Sequence, residues 1–301
     1  LMFNTLGTAP NTAIQKYLNA KKVPQLFVAT GASKWGNPKD FPWTMGWQPD
    51  YVTESKIYAA HILKNHKDAK IGVLMQNDDY GKDYLTGFKE GLGKANEKMI
   101  VQLSTYEATD PTIDSQMIQL KNSGADVFFN ITTPKFAAQA IKKAAEIAWK
   151  PVHYLNNVSS SFGTVFGPAG IENSQGILLA LYRKDVSDPQ WNASPDVAAF
   201  KAFMAKYMPN GNLKDDVHNY GYCCSHTLLQ VLRQAGDNLT RENVMKEAAN
   251  LKNFEASLLL PGIKINTSPT DFYPIQSVQM ARVKGNSFEL FGSVLSNEST
   301  S

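Results

Sequence analysis

Residues 69–92 read AKIGVLMQNDDYGKDYLTGFKEGL, and this stretch decides the fold. Residues 71–75 form an apolar run of the length of a buried strand. Asn77, Asp78 and Asp79 break it in a polar turn. From Lys82 the period changes, and Leu85, Phe88 and Leu92 fall on one helical face. The unit is therefore a strand, a turn at its C-terminal end, and a helix. In open parallel sheets that turn is where ligands bind. Tyr80 is expected in it, a large amphipathic side chain facing the crevice.

The same beat continues downstream. Strands are predicted at residues 100–103, 125–130, 152–155 and 177–181. A helix starts at Asp110-Pro111 and carries Ile113, Met117 and Leu120. Another runs over 135–148 after Thr132-Thr133-Pro134, with proline in its first turn. The strand at 152–155 runs into Asn156-Asn157-Val158 and three serines. Such spacing predicts parallel βαβ units.

Upstream, residues 1–4 read as a strand, followed by the turn Gly7-Thr8-Ala9-Pro10-Asn11 and a helix holding Ala13, Ile14, Tyr17 and Leu18. The apolar run 23–29 leads into Thr30-Gly31-Ala32-Ser33. Small side chains and free backbone N–H groups there suit close approach of an anion, although a plain strand-to-helix turn reads the same way. The segment 41–47, FPWTMGW, is read as a crossing between lobes or a cleft wall, with packing under a loop as the alternative. Residues 51–63 form a helix with Ile57, Ala60 and Ile62 apolar. Near the end come helices at 195–207, 219–234 and 241–249, the last capped by Thr240. Strands at 275–283 and 288–290 form a hairpin through Lys284-Gly285-Asn286-Ser287. The Asn/Ser/Thr tail is expected to fray.

The fold class that follows is α/β, with two Rossmann-like lobes of parallel sheet joined by a hinge. Residues 1–45 and 182–258 are assigned to lobe 1, and 46–181 and 259–301 to lobe 2. Leu1 to Asn4 reads as the inside of a strand, so the first βαβ units of lobe 1 are expected upstream of this chain.

The 301 residues are 43% hydrophobic and 19% charged, with a net charge of +3 and no basic run. That composition fits an ordinary soluble globular protein and argues against a nucleic-acid partner. No apolar stretch reaches the roughly 18 residues needed to span a bilayer. Cys223 and Cys224 are adjacent and read as small core residues. His61 and His66 lie five apart, the wrong spacing for two ligands on one helical face.

Catalytic patterns are missing. There is no GxSxG, no GxxxxGK[ST], no HExxH and no GxGxxG; Gly87, Gly91 and Gly93 lie in a helix with the wrong spacing. His153, His218 and His226 are scattered. Asp78 and Asp79 could form an acid–base pair, but a helix N-terminal pair favoured by the macrodipole is the simpler reading. The sequence thus describes a cleft that recognises and does not react, with no enzyme activity, cofactor or metal.

Five stretches carry a family resemblance: GTAPN from Gly7, VPQLFVATGAS from Val23, IGVLMQNDDYGKDYLTGFKEGL from Ile71, SGADVFFN from Ser123, and NYGYCCS from Asn219. In these the chain resembles the periplasmic substrate-binding proteins of branched-chain-amino-acid-type ABC transporters, the leucine/isoleucine/valine-binding family, of type I periplasmic binding fold. The NDDYGKD element is the most specific. The resemblance implies a monomer, periplasmic or lipid-anchored outside the cytoplasm, that closes by a hinge on a small ligand and docks to a membrane permease. It also implies that Thr8 supplies a hydroxyl to the ligand carboxylate. Ala29, Thr30, Gly31 and Ala32 form the second carboxylate loop, Tyr80 is the second lobe's cleft tyrosine, and Thr132 is a further contact. The family's ammonium-pairing carboxylate falls at Asn156 or Asn157. An asparagine cannot neutralise an ammonium, and an unpaired charge in a closed cleft costs several kcal/mol. The expected ligand is therefore a carboxylic acid without the amine, and Trp43, Tyr80 and Tyr182 suit an aromatic one. A sensory ligand-binding domain of the same fold, or an α/β enzyme, is the alternative.

Overall fold

A computed structural model describes residues 1–296; the tail expected to fray lies almost wholly outside them. In chain order the elements are β1 (Met2–Phe3), α1 (Thr8–Ala20), β2 (Gln25–Val28), β3 (Thr44–Gly46), α2 (Tyr51–Asn65), β4 (Ile71–Gln76), α3 (Asp79–Leu92), β5 (Ile100–Tyr106), α4 (Asp114–Asn122), β6 (Val127–Ile131), α5 (Pro134–Glu146), β7 (Val152–Leu155), the short α6 (Gly167–Ala169), β8 (Leu178–Leu181), α7 (Pro195–Tyr207), α8 (Asp216–Ala235), α9 (Arg241–Ala248), β9 (Ser277–Lys284) and β10 (Ser287–Ser296).

These strands form two sheets. One has the order β1-β2-β3 and is parallel throughout. The other has the order β10-β9-β8-β7-β6-β4-β5. Its strands β4 to β8 are parallel, as the spacing predicts. The terminal hairpin adds to β8 in antiparallel fashion.

Strand β4 sits inside its sheet, between β5 and β6, and both of its faces are covered. Ile71, Val73 and Met75 belong to one apolar cluster with Tyr84, Phe88 and Phe129. Leu74 belongs to another with Met117, Leu120, Phe136 and Trp149. Burial on both faces is why its sequence is a continuous apolar run with no alternation. Helices α2 and α3 pack backbone to backbone. A Cβ on Gly87 would lie 2.5 Å from Val52 Cα, and one on Gly91 2.7 Å from Ala59 Cβ. Gly87 and Gly91, which fit no phosphate motif, therefore serve helix packing, and Gly93 is the C-cap of α3 with φ 71°.

Helix α3 begins earlier than its apolar period suggests. The Asp78 side chain accepts from the N–H groups of Tyr80 and Gly81, which caps the helix and places Tyr80 in its first turn rather than in a loop. Asp79, next along, pairs with Lys34 at 2.7 Å, and that contact lowers its pKa. Helix α4 starts at Asp114, past Pro111. Thr240 does cap α9, accepting from Asn243 N–H. Cys223 and Cys224 are free and fully buried in α8.

Residues 251–267 hydrogen-bond across one another. Phe254 and Ile265 exchange backbone bonds, and the Thr267 hydroxyl receives Leu251 N–H and donates to Ala248 O. These bonds tie the segment to α9, while Leu258 and Leu260 bond Lys184 and Tyr182 just past β8, and strand pairing with the seven-stranded sheet resumes at β9. No helix among the described residues is long and apolar enough to cross a membrane.

Candidate ligand-binding site

The residues expected in the site all follow the C-terminal ends of parallel strands. Thr8 follows β1, Ala29 to Ala32 follow β2, Tyr80 follows β4, Thr132 follows β6 and Asn157 follows β7. That is the edge at which parallel sheets place ligands. Thr8, Ala29, Thr30, Ala32, Tyr80, Thr132 and Asn157 are all buried.

Two of them, Thr8 and Ala32, meet at Thr30. Its Oγ1 lies 2.6 Å from Thr8 Oγ1, 3.3 Å from both Ala32 N and Trp35 Nε1, and 3.4 Å from the Tyr51 hydroxyl. Every one of these groups can donate a hydrogen bond. Helix α1 ends on the same spot: its N-cap, Gly7, has φ 96° and no side-chain cap, and its first turn holds no acidic residue. Gly7 takes a backbone conformation that L side chains rarely adopt, and this turns the helix start toward the loop. Helices α2 and α3, by contrast, are capped by Asp50 and Asp78. An uncapped N-terminus carries free N–H groups and positive dipole character, and so favours an anion.

Gly31 brings this loop against the start of α2. Its carbonyl accepts from Tyr51 N–H at 2.8 Å, and a Cβ there would lie 2.4 Å from Pro49 O. Ser33 N–H donates to Asp83 of α3 at 2.6 Å, and the Tyr273 hydroxyl donates to Ser33 O. A polar cleft of about 380 Å³ opens beside this contact, lined by Ser33, Asp50, Asp83, Glu90 and Tyr273 among others. Its lining carries carboxylates and no basic side chain, so it does not suit an anion.

Tyr51 links the Thr30 loop to Tyr80. Their rings meet edge to face at 5.2 Å, and Tyr51 also stacks on Tyr84 at 4.4 Å. The Tyr80 hydroxyl is buried with no hydrogen-bond partner among the described residues. Burial drives the Tyr80 pKa well above its ordinary value and that of Tyr51 to about 12, so both are neutral donors.

Glu54, which the sequence reading did not single out, lies behind the tyrosines. It is fully buried. One carboxylate oxygen accepts from the Tyr58 hydroxyl at 2.7 Å and from Asn157 N–H at 2.8 Å. The other accepts from the Tyr84 hydroxyl at 2.7 Å and from the Asn157 carboxamide. Burial outweighs these bonds and raises the Glu54 pKa to about 7. The expectation of an amine-free ligand rested on the absence of a carboxylate at positions 156 and 157. Glu54 places a carboxyl group behind Asn157, with both of its oxygens taken by Tyr58, Tyr84 and Asn157.

Asn156 and Thr132 are committed to the strand ends. Asn156 Nδ2 donates to Asn130 O and Thr132 O at 3.0 Å, and the Thr132 hydroxyl donates to Asn130 Oδ1 at 2.6 Å. They are not joined to the Thr30 hub by any described hydrogen bond. Trp43 does not belong to this edge: it precedes β3, at the end of the small sheet away from Thr30. Tyr182 is buried against Trp47 at 6.0 Å, with the Arg183 guanidinium over its ring. The aromatics beside the hub are Tyr51 and Trp35, the latter in a 3₁₀ turn just after the Thr30 loop.

Residues 1–287 match the family model described as periplasmic binding protein, and the chain belongs to that family. Its fold is the type I periplasmic binding fold, and the family and fold are those of extracytoplasmic solute-binding proteins, not enzymes. A relative, the Leu/Ile/Val-binding protein homolog 8 of Brucella abortus (strain 2308), is 24% identical over 165 residues, which is 54% of this chain and 40% of the relative's length. Among solved structures, a branched chain amino acid ABC transporter protein from Thermus thermophilus with bound valine matches with TM-score 0.85 at 14% identity, covering 98% of this chain and 78% of that one. A substrate-binding periplasmic protein from Ralstonia solanacearum matches with TM-score 0.82 at 20% identity, covering 96% and 79%. The leucine binding protein LivK of Thermotoga maritima matches with TM-score 0.72 at 18% identity, covering 98% and 79%. At these identities the structural likeness carries the fold.

Proposed function

We propose that this chain is the solute-capturing component of an ABC importer and holds a small carboxylate between two lobes. One observation carries the reading: hydroxyl, indole and backbone donors converge on Thr30 beside the uncapped start of α1, and Tyr51 of that cluster packs on Tyr80, whose buried hydroxyl has no partner among the described residues. Converging donors and a helix N-terminus form a site for an oxyanion. The ligand-binding residues are Thr8, Ala29, Thr30, Gly31, Ala32 and Tyr80 around the carboxylate, with Thr132 and Asn157 further along the strand ends. The ligand is an aromatic or aliphatic acid or an amino-acid-like compound; Trp35, Tyr51 and Tyr80 offer flat apolar walls.

The mechanism is hinge closure. Residues 1–45 and the helices after β8 form one lobe, and the seven-stranded sheet with α2 to α5 forms the other. The bonds within residues 251–267 favour keeping that segment with the first lobe. A ligand touching both lobes only when they close shifts the population toward the closed state, and the closed monomer docks to a membrane permease from the periplasmic side, free or lipid-anchored. Native mass spectrometry of the purified protein tests the reading, followed by calorimetry with leucine, valine and benzoate-type acids. Co-purification or saturable binding of an acid supports it; binding confined to neutral or cationic solutes overturns it.

A further inference from the structure

We propose that the tip joining α7 to α8 is a contact surface for an anionic phospholipid membrane, and that it turns the ligand edge toward the bilayer. The inference is independent of which solute the cleft holds.

A surface helix ordinarily keeps charged residues on its outer face. Helix α7 does not. Past Asp196 its exposed positions hold alanines, Phe203, Lys206 and Tyr207, and none is acidic. The apolar surface continues beyond the helix through Met208 and Leu213 to Val217 in the first turn of α8, all exposed. A ladder of rings anchors it to the core. Phe200, fully buried, meets Tyr222 at 5.2 Å, Tyr222 meets Phe203 at 5.1 Å, and Phe203 meets Tyr207 at 5.0 Å. Tyr207 is 61% exposed, yet its ring is held from behind.

The tip is also net cationic. Lys201, Lys206 and Lys214 form no ion pair among the described residues. Lys206 Nζ lies 4.9 Å from the Tyr207 ring. The acids of the same stretch are engaged: Asp196 with Lys184, Asp216 with Arg183, and Asp215 as the N-cap of α8.

Exposed aromatic and aliphatic groups flanked by free lysines suit a lipid headgroup layer. Anionic headgroups attract the ammonium groups, and the rings and Leu213 reach the acyl boundary. A second copy seated on this face would set lysines against lysines, which disfavours self-pairing. The tip lies on the ligand edge as well. Asp216 meets Arg183 just past β8, and the Lys214 carbonyl packs on the turn after β7, where a Cβ on Gly163 would lie 2.0 Å from it. Membrane contact at this point therefore faces the cleft toward the bilayer, where the permease of an importer takes up the solute.

The test is flotation of the purified chain with vesicles of phosphatidylcholine alone and of phosphatidylcholine mixed with phosphatidylglycerol. Binding to the mixed vesicles should be at least about tenfold tighter, and should fall about tenfold or more from low to high salt. Lys206→Glu combined with Lys214→Glu should weaken it by at least about tenfold. Tyr207→Ser combined with Leu213→Ser should weaken it about as much, with the lysines still present. All four positions are exposed, so thermal unfolding of both variants should match wild type, which separates lost contact from lost fold. Lys206→Gln with Lys214→Gln repeats the charge comparison should the reversal perturb folding. Absence of binding to the mixed vesicles, equal binding to both kinds, or binding that either double variant retains overturns the inference. So does self-association in the ultracentrifuge that the Tyr207 and Leu213 changes abolish, since that assigns the face to a second copy.

Discussion

The hydroxyls of Thr8 and Thr30 meet at 2.6 Å, one from the first residue of α1 and the other from the loop after β2. Neither residue is near the other in sequence, and the parallel pairing of β1 with β2 is what aligns the two strand ends. Around them Trp35 Nε1 and the Tyr51 hydroxyl complete a donor cluster that excludes solvent.

Thr30→Val removes the hub of that cluster while keeping its shape. The Trp35 indole N–H and the Tyr51 hydroxyl then lose a buried partner, which costs about 1–3 kcal/mol of stability. Ligand affinity should fall about tenfold or more, because one donor to the carboxylate is gone and its neighbours are no longer held. Urea unfolding and calorimetry check the two effects together. A variant that binds the co-purified ligand within threefold of wild type would remove Thr30 from the site.

Gly31→Ala acts on closure rather than on contact. Its Cβ would lie 2.4 Å from Pro49 O and 2.7 Å from Tyr51 Cε1, so the loop after β2 and the start of α2 must separate. Overpacking of this kind costs about 1–3 kcal/mol. If the contact forms only when the lobes close, the cost falls on the closed state, and apparent affinity drops by about 5- to 150-fold through population. Small-angle scattering at the same sub-saturating ligand concentration should show a larger radius of gyration for the variant than for wild type. An unchanged affinity would mean that the loop and α2 are in contact in the open state too.

Much of this was legible in residues 69–92. The continuous apolar run of β4 is the signature of a strand covered on both faces, and Leu74 and Val73 do face separate clusters. The strand-end positions of Thr8, Thr30, Tyr80, Thr132 and Asn157 followed from the same beat. Glu54 was not legible. The α2 pattern was read from Ile57, Ala60 and Ile62, yet Ala60 is exposed and the buried face holds Glu54, Tyr58 and Ile62 at four-residue spacing. A carboxylate on a buried face makes sense only once Tyr84 and Asn157 arrive from other elements, and no local spacing announces them. Trp43 was misplaced for a related reason: the direction of β3, not the aromatic character of its flanks, decides which tryptophan nears the ligand edge.

Glu54 also sets a pH dependence of stability whose sign is fixed by its environment. Burial raises its folded pKa to about 7 from an ordinary 4.5. The folded protein therefore holds a proton between those values that the unfolded chain has released. The contribution is fully present below about pH 4.5 and is lost as pH rises through about 7, amounting to on the order of 3 kcal/mol. Glu54→Gln carries no titrating group, so other carboxylates cancel when the two proteins are compared at each pH. Urea denaturation at pH 4.5 and pH 8 should show wild type losing stability relative to Glu54→Gln as pH rises. A relative stability that is flat, or that rises with pH, would mean that the four hydrogen bonds from Tyr58, Tyr84 and Asn157 outweigh desolvation and keep Glu54 ionised throughout.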